Sequence, residues 1–379
     1  MSNKLKLFII KLLRVCLRFF YIFPVNKKIF LFSSYEGRQY SDNPKYFYLY
    51  LKEKYGDNFK YIWVLNKKEA ELKTVKFLSL KHIYYLMTAK YIISNLGIEP
   101  FIPKRKTQIF INTWHGSGAY KCQTLNEKLL KDKYTVNCRD YRAKNTNYYL
   151  SGCRKYSEVS SESWNVDISK FIPIGTTRND IFFSNNIEKI RLRVFEDLGI
   201  SPEYGYILYA PTFRGNSFRN QDKFLIKLNF IELIKVFEKR FNKKFKVLYR
   251  EHIGFCKDIN LESKNLVIDV SSYPDMQELM VISDALITDY SSSMWDFSLL
   301  NRPGFLYVPD IDDYSSKRDF YFPIETWPFQ YSKTQEDLFK QVENYDEEKA
   351  LLKIKEHHNN MGIYEKGIAC ESLEKILRL

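Results

Sequence analysis

Short apolar runs recur along the chain, and stretches with helical periodicity lie between them. In the first half, residues 28–32, 61–65, 91–94, 109–113 and 148–151 read as strands, with amphipathic helices at 44–55 and 80–89. The second half repeats the scheme, with strands at 206–210, 246–250, 266–269, 285–288 and 305–308. Helices there fall at 187–198, 223–239, 275–283 and 292–300. Strands alternating with helices build parallel sheets covered on both faces. Two such sets predict an α/β protein of two Rossmann-like domains, 25–172 and 173–379, with the linker near 172–180. At 379 residues the chain is long enough for two separate cores.

Residues 4–20, KLKLFIIKLLRVCLRFF, carry a different pattern. The apolar run is broken at Lys11, Arg14 and Arg18, and no small-residue cleavage site follows, which argues against a secretory signal. A spanning helix needs about 20 nearly uninterrupted apolar residues. At about 100° per residue, Lys4, Lys11, Arg14 and Arg18 share one face, and Phe8, Ile9, Leu12, Leu13, Cys16, Leu17 and Phe20 fill most of the rest. Such a basic amphipathic helix, within residues 1–24, suits the headgroup region of an anionic membrane. A helix packed on its own protein is the alternative, and it would disappear into the fold.

Composition changes the picture in two respects. A net charge of +14, from 59 Lys and Arg against 45 Asp and Glu, favours anionic partners. No zinc-finger spacing, basic zipper or RNA-recognition signature supports nucleic acid, so membrane and phosphate remain. The six cysteines are scattered without a CxxC pair, which fits free thiols in a reducing compartment. The 29 Tyr and 29 Phe are read as strand and core material, not as a carbohydrate platform.

Ligands of open parallel sheets bind beyond the carboxyl ends of the strands, so the polar residues there carry the chemistry. After 285–288 come Asp289, then Ser291 and Ser292 opening a helix, an arrangement that cradles phosphate or simply caps the helix. The run 109–113 leads to His115, placed for proton transfer in a turn with Gly116, Ser117 and Gly118. Arg250 and His252 follow another strand, Thr212 and Arg214 a third, and Arg178 stands at the hinge. Arginine forks grip phosphate, so these residues together predict a phosphate-binding cleft. No acidic cluster has the spacing of a metal site, and no tightly bound cofactor is expected.

These segments together resemble the CDP-glycerol glycerophosphotransferase family, which builds teichoic acids and related polyol-phosphate polymers. The resemblance rests on Ser41-Asp-Asn-Pro-Lys, Thr113-Trp-His-Gly, Gly175 with Arg178-Asn-Asp, Tyr209-Ala-Pro-Thr-Phe-Arg, and the stretch from Ile282-Ser-Asp to Thr288-Asp-Tyr-Ser-Ser. It implies a GT-B fold, two Rossmann-like domains facing a cleft, with the nucleotide on the C-terminal domain and the acceptor entering from the membrane side. It implies His115 as general base, and His252, Ser291 and Ser292 on the donor phosphates with Asp289 and Arg250 in support. Arg178, Thr212 and Arg214 join the donor site, whereas Gly116, Ser117 and Lys121 lie on the acceptor side. Three positions depart from the family's usual pattern: Ser117-Gly118 replaces Thr-Pro, Thr177 replaces a proline, and Ile253 follows His252 where proline is usual.

The expected reaction is transfer of a polyol phosphate from CDP-glycerol or CDP-ribitol to a lipid-linked acceptor, with CMP released. The expected location is cytoplasmic, peripheral on the inner face of the cell membrane. Two alternatives stand beside it: a GT-B glycosyltransferase using a sugar nucleotide, and a non-catalytic membrane-bound subunit.

Overall fold

The structure is a computed structural model, and it describes residues 2–67, 69, 71–122, 133–212, 215–217, 220–221, 228–250, 265–317 and 319–379. The chain forms two compact units. The first holds Met1–Ser117, Cys122–Asp180 and Ile363–Leu379; the second holds Gly118–Lys121 and Ile181–Gly362.

In the first unit, helix α1 (Asn3–Leu17) precedes strands β1 (Asn26–Ser33), β2 (Lys60–Val64), β3 (Thr74–Val75), β4 (Ala89–Ser94), β5 (Ile109–Asn112), β6 (Tyr148–Leu150) and β7 (Phe171–Ile172). Helices α2 (Asp42–Tyr55), α3 (Leu80–Thr88), α4 (Lys133–Asn145) and α5 (Arg154–Trp164) lie among them. The strands pair in parallel in the order β3-β2-β1-β4-β5-β6-β7. Side chains alternate across a strand, so Phe30 and Phe32 of β1 enter one core layer with Phe47 and Leu51 of α2. Ile29 and Leu31 enter the opposite layer with Leu86 and Met87 of α3. Burial on both faces is why these strands read as unbroken apolar runs. Many of the aromatic residues serve this packing: the Phe30 and Tyr91 rings stack at 4.3 Å, and Phe32 and Trp63 at 5.3 Å.

The second unit contains α6 (Ile187–Leu198), β8 (Gly205–Tyr209), a short hairpin of β9 (Gly215–Ser217) and β10 (Asn220–Gln221), α7 (Phe230–Phe241), β11 (Phe245–Tyr249) and β12 (Val267–Asp269). Then follow α8 (Met276–Ile282), β13 (Ala285–Thr288), α9 (Ser293–Ser298), β14 (Gly304–Tyr307), α10 (Ile311–Lys317), β15 (Gln330–Ser332), α11 (Gln335–Glu343) and α12 (Glu347–Met361). The sheet order is β12-β11-β8-β13-β14-β15, again parallel. Leu233 and Phe237 of α7 and Leu338 and Val342 of α11 cover one face, against Ile207, Val247, Ile287 and Phe305.

Each sheet starts in its middle and reverses direction once, between β1 and β4 and between β8 and β13. Those reversals are the switch points at which such sheets bind ligands. Strands β3, β7 and β15 have only two or three residues, too few to show a period.

The sequence predicts a domain boundary at 172, with the linker near 172–180. In the structure the chain stays in the first unit to Asp180, and its last segment returns there as α13 (Ala369–Leu377). Leu373 and Leu377 of α13 are buried against the sheet face that α2 also covers. The α13 start is held by the Asp180 carboxylate, which accepts the Ala369 and Cys370 amides at 2.9 and 2.8 Å.

Helix α1 uses its faces differently from the expectation. Ile10 is buried, and Leu17 and Phe20 pack against the first-unit core. Arg14 was expected on the membrane face. Instead its Nε donates to the Pro100 carbonyl at 2.6 Å and its guanidinium lies 3.5 Å from the Tyr141 ring centre. Leu5, Phe8, Leu12, Val15, Phe19 and Ile22 are exposed at alternating three- and four-residue spacing, flanked by exposed Lys4, Lys11 and Arg18. No helix among the described residues is long and apolar enough to cross a membrane.

Candidate active site

Three strand ends of the first unit meet on Asn95, which is wholly buried. Its Oδ1 accepts the Tyr35 amide beyond β1 at 2.9 Å, and its Nδ2 donates to Asp42 Oδ2 at 2.6 Å. Its backbone oxygen lies 3.1 Å from His115 Nδ1. A carbonyl only accepts, so Nδ1 carries the proton, and a neutral imidazole then keeps its lone pair on Nε2. That is the tautomer a general base requires.

The turn that carries His115 is strained and held. Trp114 sits at φ +50°, which is unfavourable for a bulky residue. The Asn112 side chain accepts the Trp114 amide at 3.0 Å, and Asn43 Nδ2 reaches the Thr113 and Trp114 carbonyls at 3.3 and 3.2 Å. The Trp114 and His115 rings stack with centroids 4.3 Å apart.

Arg178, expected on the donor phosphates, lies in the first unit, 3% exposed, with Nη1 2.8 Å from Asp42 Oδ1 and Nη2 3.3 Å from Ser117 Oγ. Burial pushes the Asp42 carboxyl upward, but the Arg178 charge and bonds from Asn95, Arg178 and the Asn43 amide outweigh it and hold the pKa below its ordinary value. Asn43 also joins this segment, accepting the Arg178 amide at 3.0 Å and the Thr177 hydroxyl through its carbonyl at 2.8 Å. Behind it, Glu365 binds the Thr176 amide and hydroxyl, each at 3.0 Å. Gly175 at φ +84° passes so close that an added Cβ would stand 2.6 Å from Glu365 Oε2, which explains the glycine. The motifs around residues 42, 114 and 178 are therefore one hydrogen-bonded network.

Ser117, expected on the acceptor side, is fully enclosed and bonded to Arg178 and Thr176. Gly116 is half-buried beside His115. Lys121 belongs to the second unit, where its backbone bridges Phe320.

In the second unit, Asp289 stands at the switch point between β8 and β13, 1% exposed. Both its oxygens lie 2.9 Å from the Thr212 amide, and Oδ1 also accepts the Tyr290 amide at 2.6 Å. It thus ties the two strand ends together from within and shapes their turns. Tyr290 is pinned on the far side by a bond to Asp310 at 3.0 Å and a 3.8 Å stack on Tyr314. Ser291 and Ser292 are half-buried; Ser291 Oγ accepts the Ser293 amide at 3.2 Å, whereas the Ser292 side chain makes no cap. Arg250 is half-buried, with Nη1 on the Tyr273 carbonyl at 2.7 Å. His252 and Arg214 lie outside the described residues. Among the described residues, no group of three or more His, Cys, Asp or Glu could hold a metal ion.

Asp42, Asn43, Asn95 and Glu365 were given no role from sequence. Asn95 follows a strand directly and was open to the rule that found His115. Glu365 had no local signal, because its partners lie 189 residues away.

The family model described as CDP-Glycerol:Poly(glycerophosphate) glycerophosphotransferase matches residues 15–378. The chain is 31% identical to the teichoic acid poly(glycerol phosphate) polymerase of Bacillus spizizenii, covering 96% of this chain and 95% of that one. It is 31% identical to the Staphylococcus epidermidis protein of the same name, covering 85% of this chain but 47% of the relative, so it spans about half that length. A structure of the wall teichoic acid polymerase TagF soaked with CDPG matches with a TM-score of 0.82 at 26% identity, covering 100% of this chain and 98% of that chain. The likeness takes in both parallel-sheet units, the GT-B type of fold expected from the sequence.

Proposed function

The chain belongs to the CDP-glycerol:poly(glycerophosphate) glycerophosphotransferase family, and we propose that it transfers a polyol phosphate, glycerol phosphate first among them, from a CDP-polyol to a hydroxyl of a lipid-linked acceptor. The acceptor oxygen attacks the β-phosphorus, the bond from that phosphorus to the CMP oxygen breaks, and CMP leaves. The acceptor proton passes to His115 Nε2. The observation that carries this reading is the bond from His115 Nδ1 to the Asn95 carbonyl, which sets the basic nitrogen.

The second unit holds the donor phosphates. Arg250, His252, Arg214 and the backbone around Ser291 and Ser292 stabilise charge on the phosphoryl oxygens, and Asp289 shapes the turn that presents Thr212. Asp289→Ala removes the carboxylate that accepts the Thr212 amide, and hydrogen bonds to charged groups are worth about 1.5–3 kcal/mol. The expected result is a loss of CDP-glycerol affinity of about tenfold or more, read by titration calorimetry. Unchanged affinity would remove Asp289 from the donor site.

The test of the function is CMP release from CDP-glycerol and CDP-ribitol in parallel, with a membrane extract as acceptor. Release that depends on acceptor and on His115 is expected, and the faster donor names the alcohol. Release of a nucleoside diphosphate from a sugar nucleotide instead would favour the glycosyltransferase alternative.

The protein works at the cytoplasmic face of the membrane, attached through α1. The exposed apolar stripe from Leu5 to Ile22, edged by Lys4, Lys11 and Arg18, supports this. Each basic residue near an anionic surface contributes about 1 kcal/mol, so changing all three to Glu is expected to abolish sedimentation with phosphatidylglycerol vesicles. Binding that survives this change and 0.5 M salt (roughly a 4 Å Debye length) would overturn the electrostatic part of the attachment.

A further inference from the structure

A histidine ring has little torsional preference of its own to keep it in one plane. The bond that joins it to its β-carbon is of the sp³–sp² kind, with broad and roughly two-fold minima. The Asn95 carbonyl holds His115 at Nδ1, a single point about which the ring can still rock. A general base needs its lone pair aimed at the proton as well as its tautomer set.

Trp114 supplies the plane. Its indole lies along the imidazole with 4.3 Å between centroids and 29° between planes. The Tyr35 ring also approaches, but at 5.9 Å and 53°, a tilted contact that does not define the plane.

The indole is kept in this pose against a backbone preference. Trp114 has φ +50°, a region that β-carbon sterics disfavour for a bulky residue. The turn is held there by the Asn112 side chain on the Trp114 amide and by Asn43 on the Thr113 and Trp114 carbonyls. Close packing does not impose it. Trp114 is only half-buried, and a cavity of about 390 Å³, shared with Tyr149 and Trp164, borders it. A turn that served the fold alone would be met with less strain by Gly or Asn. Strain retained beside a reacting group points to a function of the strained residue.

We propose that Trp114 is a positioning residue for the transfer: its strained backbone lays the indole on His115 and holds the imidazole in the plane that aims Nε2 at the acceptor hydroxyl. The proposal rests on the reading of His115 as the general base. It gives Trp114 an effect that runs through His115 and has no part in donor binding.

Kinetics of CMP release by the full chain test this. Trp114→Leu removes the flat ring and is expected to lower kcat roughly three- to tenfold, the range that an aromatic pair supplies. The KM for CDP-glycerol should not change, and Trp114→Phe should restore most of the rate. The decisive comparison is the double variant with His115→Ala. There Trp114→Leu should alter the remaining rate by less than about twofold, because the ring it served is gone. An equal loss in both backgrounds marks a merely structural role and would overturn the proposal, as would an undiminished kcat in Trp114→Leu. A second measurement needs no Trp114 variant. With carbon-13-labelled histidine, the ring C–H resonance that disappears in His115→Ala is expected upfield of an unstacked histidine, since it lies over the indole. A resonance at the unstacked position would overturn the proposal. A wild-type chain that releases no CMP from CDP-glycerol or CDP-ribitol, or a fully active His115→Ala chain, would instead overturn the reading beneath it, and the histidine resonance distinguishes that result from loss of the stack.

Discussion

His115→Ala is expected to lower the rate of polyol-phosphate transfer by about 10²–10⁴-fold, the usual contribution of a positioned general base. The loss should fall on kcat, because in the proposed mechanism the imidazole takes the acceptor proton and does not bind the donor. Stopped assays of CMP release under saturating donor and acceptor read it directly. Full activity in the variant would remove the base from the mechanism. An Asn95 substitution should move in the same direction by another route. The Asn95 side chain holds the Tyr35 turn and Asp42, and its backbone carbonyl accepts His115 Nδ1, so losing the side chain keeps that carbonyl but loosens the turn that aims it at the ring. A variant with a destabilised fold and a lowered kcat is the expected outcome there, since Asn95 is wholly buried and braces the turn beside His115.

The second large effect is expected from Arg178→Leu. It leaves Asp42 buried and without its cation, and breaking such a pair by removing one partner costs about 3–5 kcal/mol. Urea unfolding followed by far-UV circular dichroism reads the loss. The double variant with Asp42→Leu should recover part of it, because the stranded charge is then gone. A single variant as stable as the wild type would show that the pair is dispensable. The pH dependence separates this pair from a general packing defect. In the wild type the folded pKa of Asp42 lies below its ordinary value. Its contribution is therefore complete above the unfolded pKa and is lost as pH falls through the folded one. In Arg178→Leu the burial that raises the pKa stands unopposed by the guanidinium, so protonation favours the folded state. The stability gap between the two proteins should narrow as the pH is lowered from 7 towards 4. Catalysis should suffer as well, since Asp42, stranded by the change, also accepts the Asn95 side chain, whose residue meets His115 through its carbonyl.

Much of this protein is decided by short-range pattern. The apolar runs that become β1, β4, β8 and β13 are buried on both faces, so their strand character and parallel pairing can be read without coordinates. A polar residue placed directly after such a run stands at the carboxyl edge of the sheet, and this is why the strand-end positions of His115, Asp289 and Arg250 were legible. The motifs themselves carry the family, because they recur in order over most of the chain.

What only the tertiary structure decided is partnership. Asp42 and Arg178 lie 136 residues apart, and nothing local says that an arginine at the end of a linker faces inward to a carboxylate and not outward to a phosphate. The same holds for Ser117, which is enclosed by Arg178 and Thr176, and for Arg14, which turns from the basic face of α1 to cover Tyr141. Helix periodicity specifies which residues share a face, but not which face a neighbour will cover. The return of α13 to the first unit has the same cause. Its apolar side could cover either sheet, and the choice is made by Asp180, whose carboxylate caps it once the strands have assembled. Local pattern thus determined the elements and the edge on which the chemistry stands. Sheet order, which brings distant segments within bonding distance, determined which of those polar residues bond to one another.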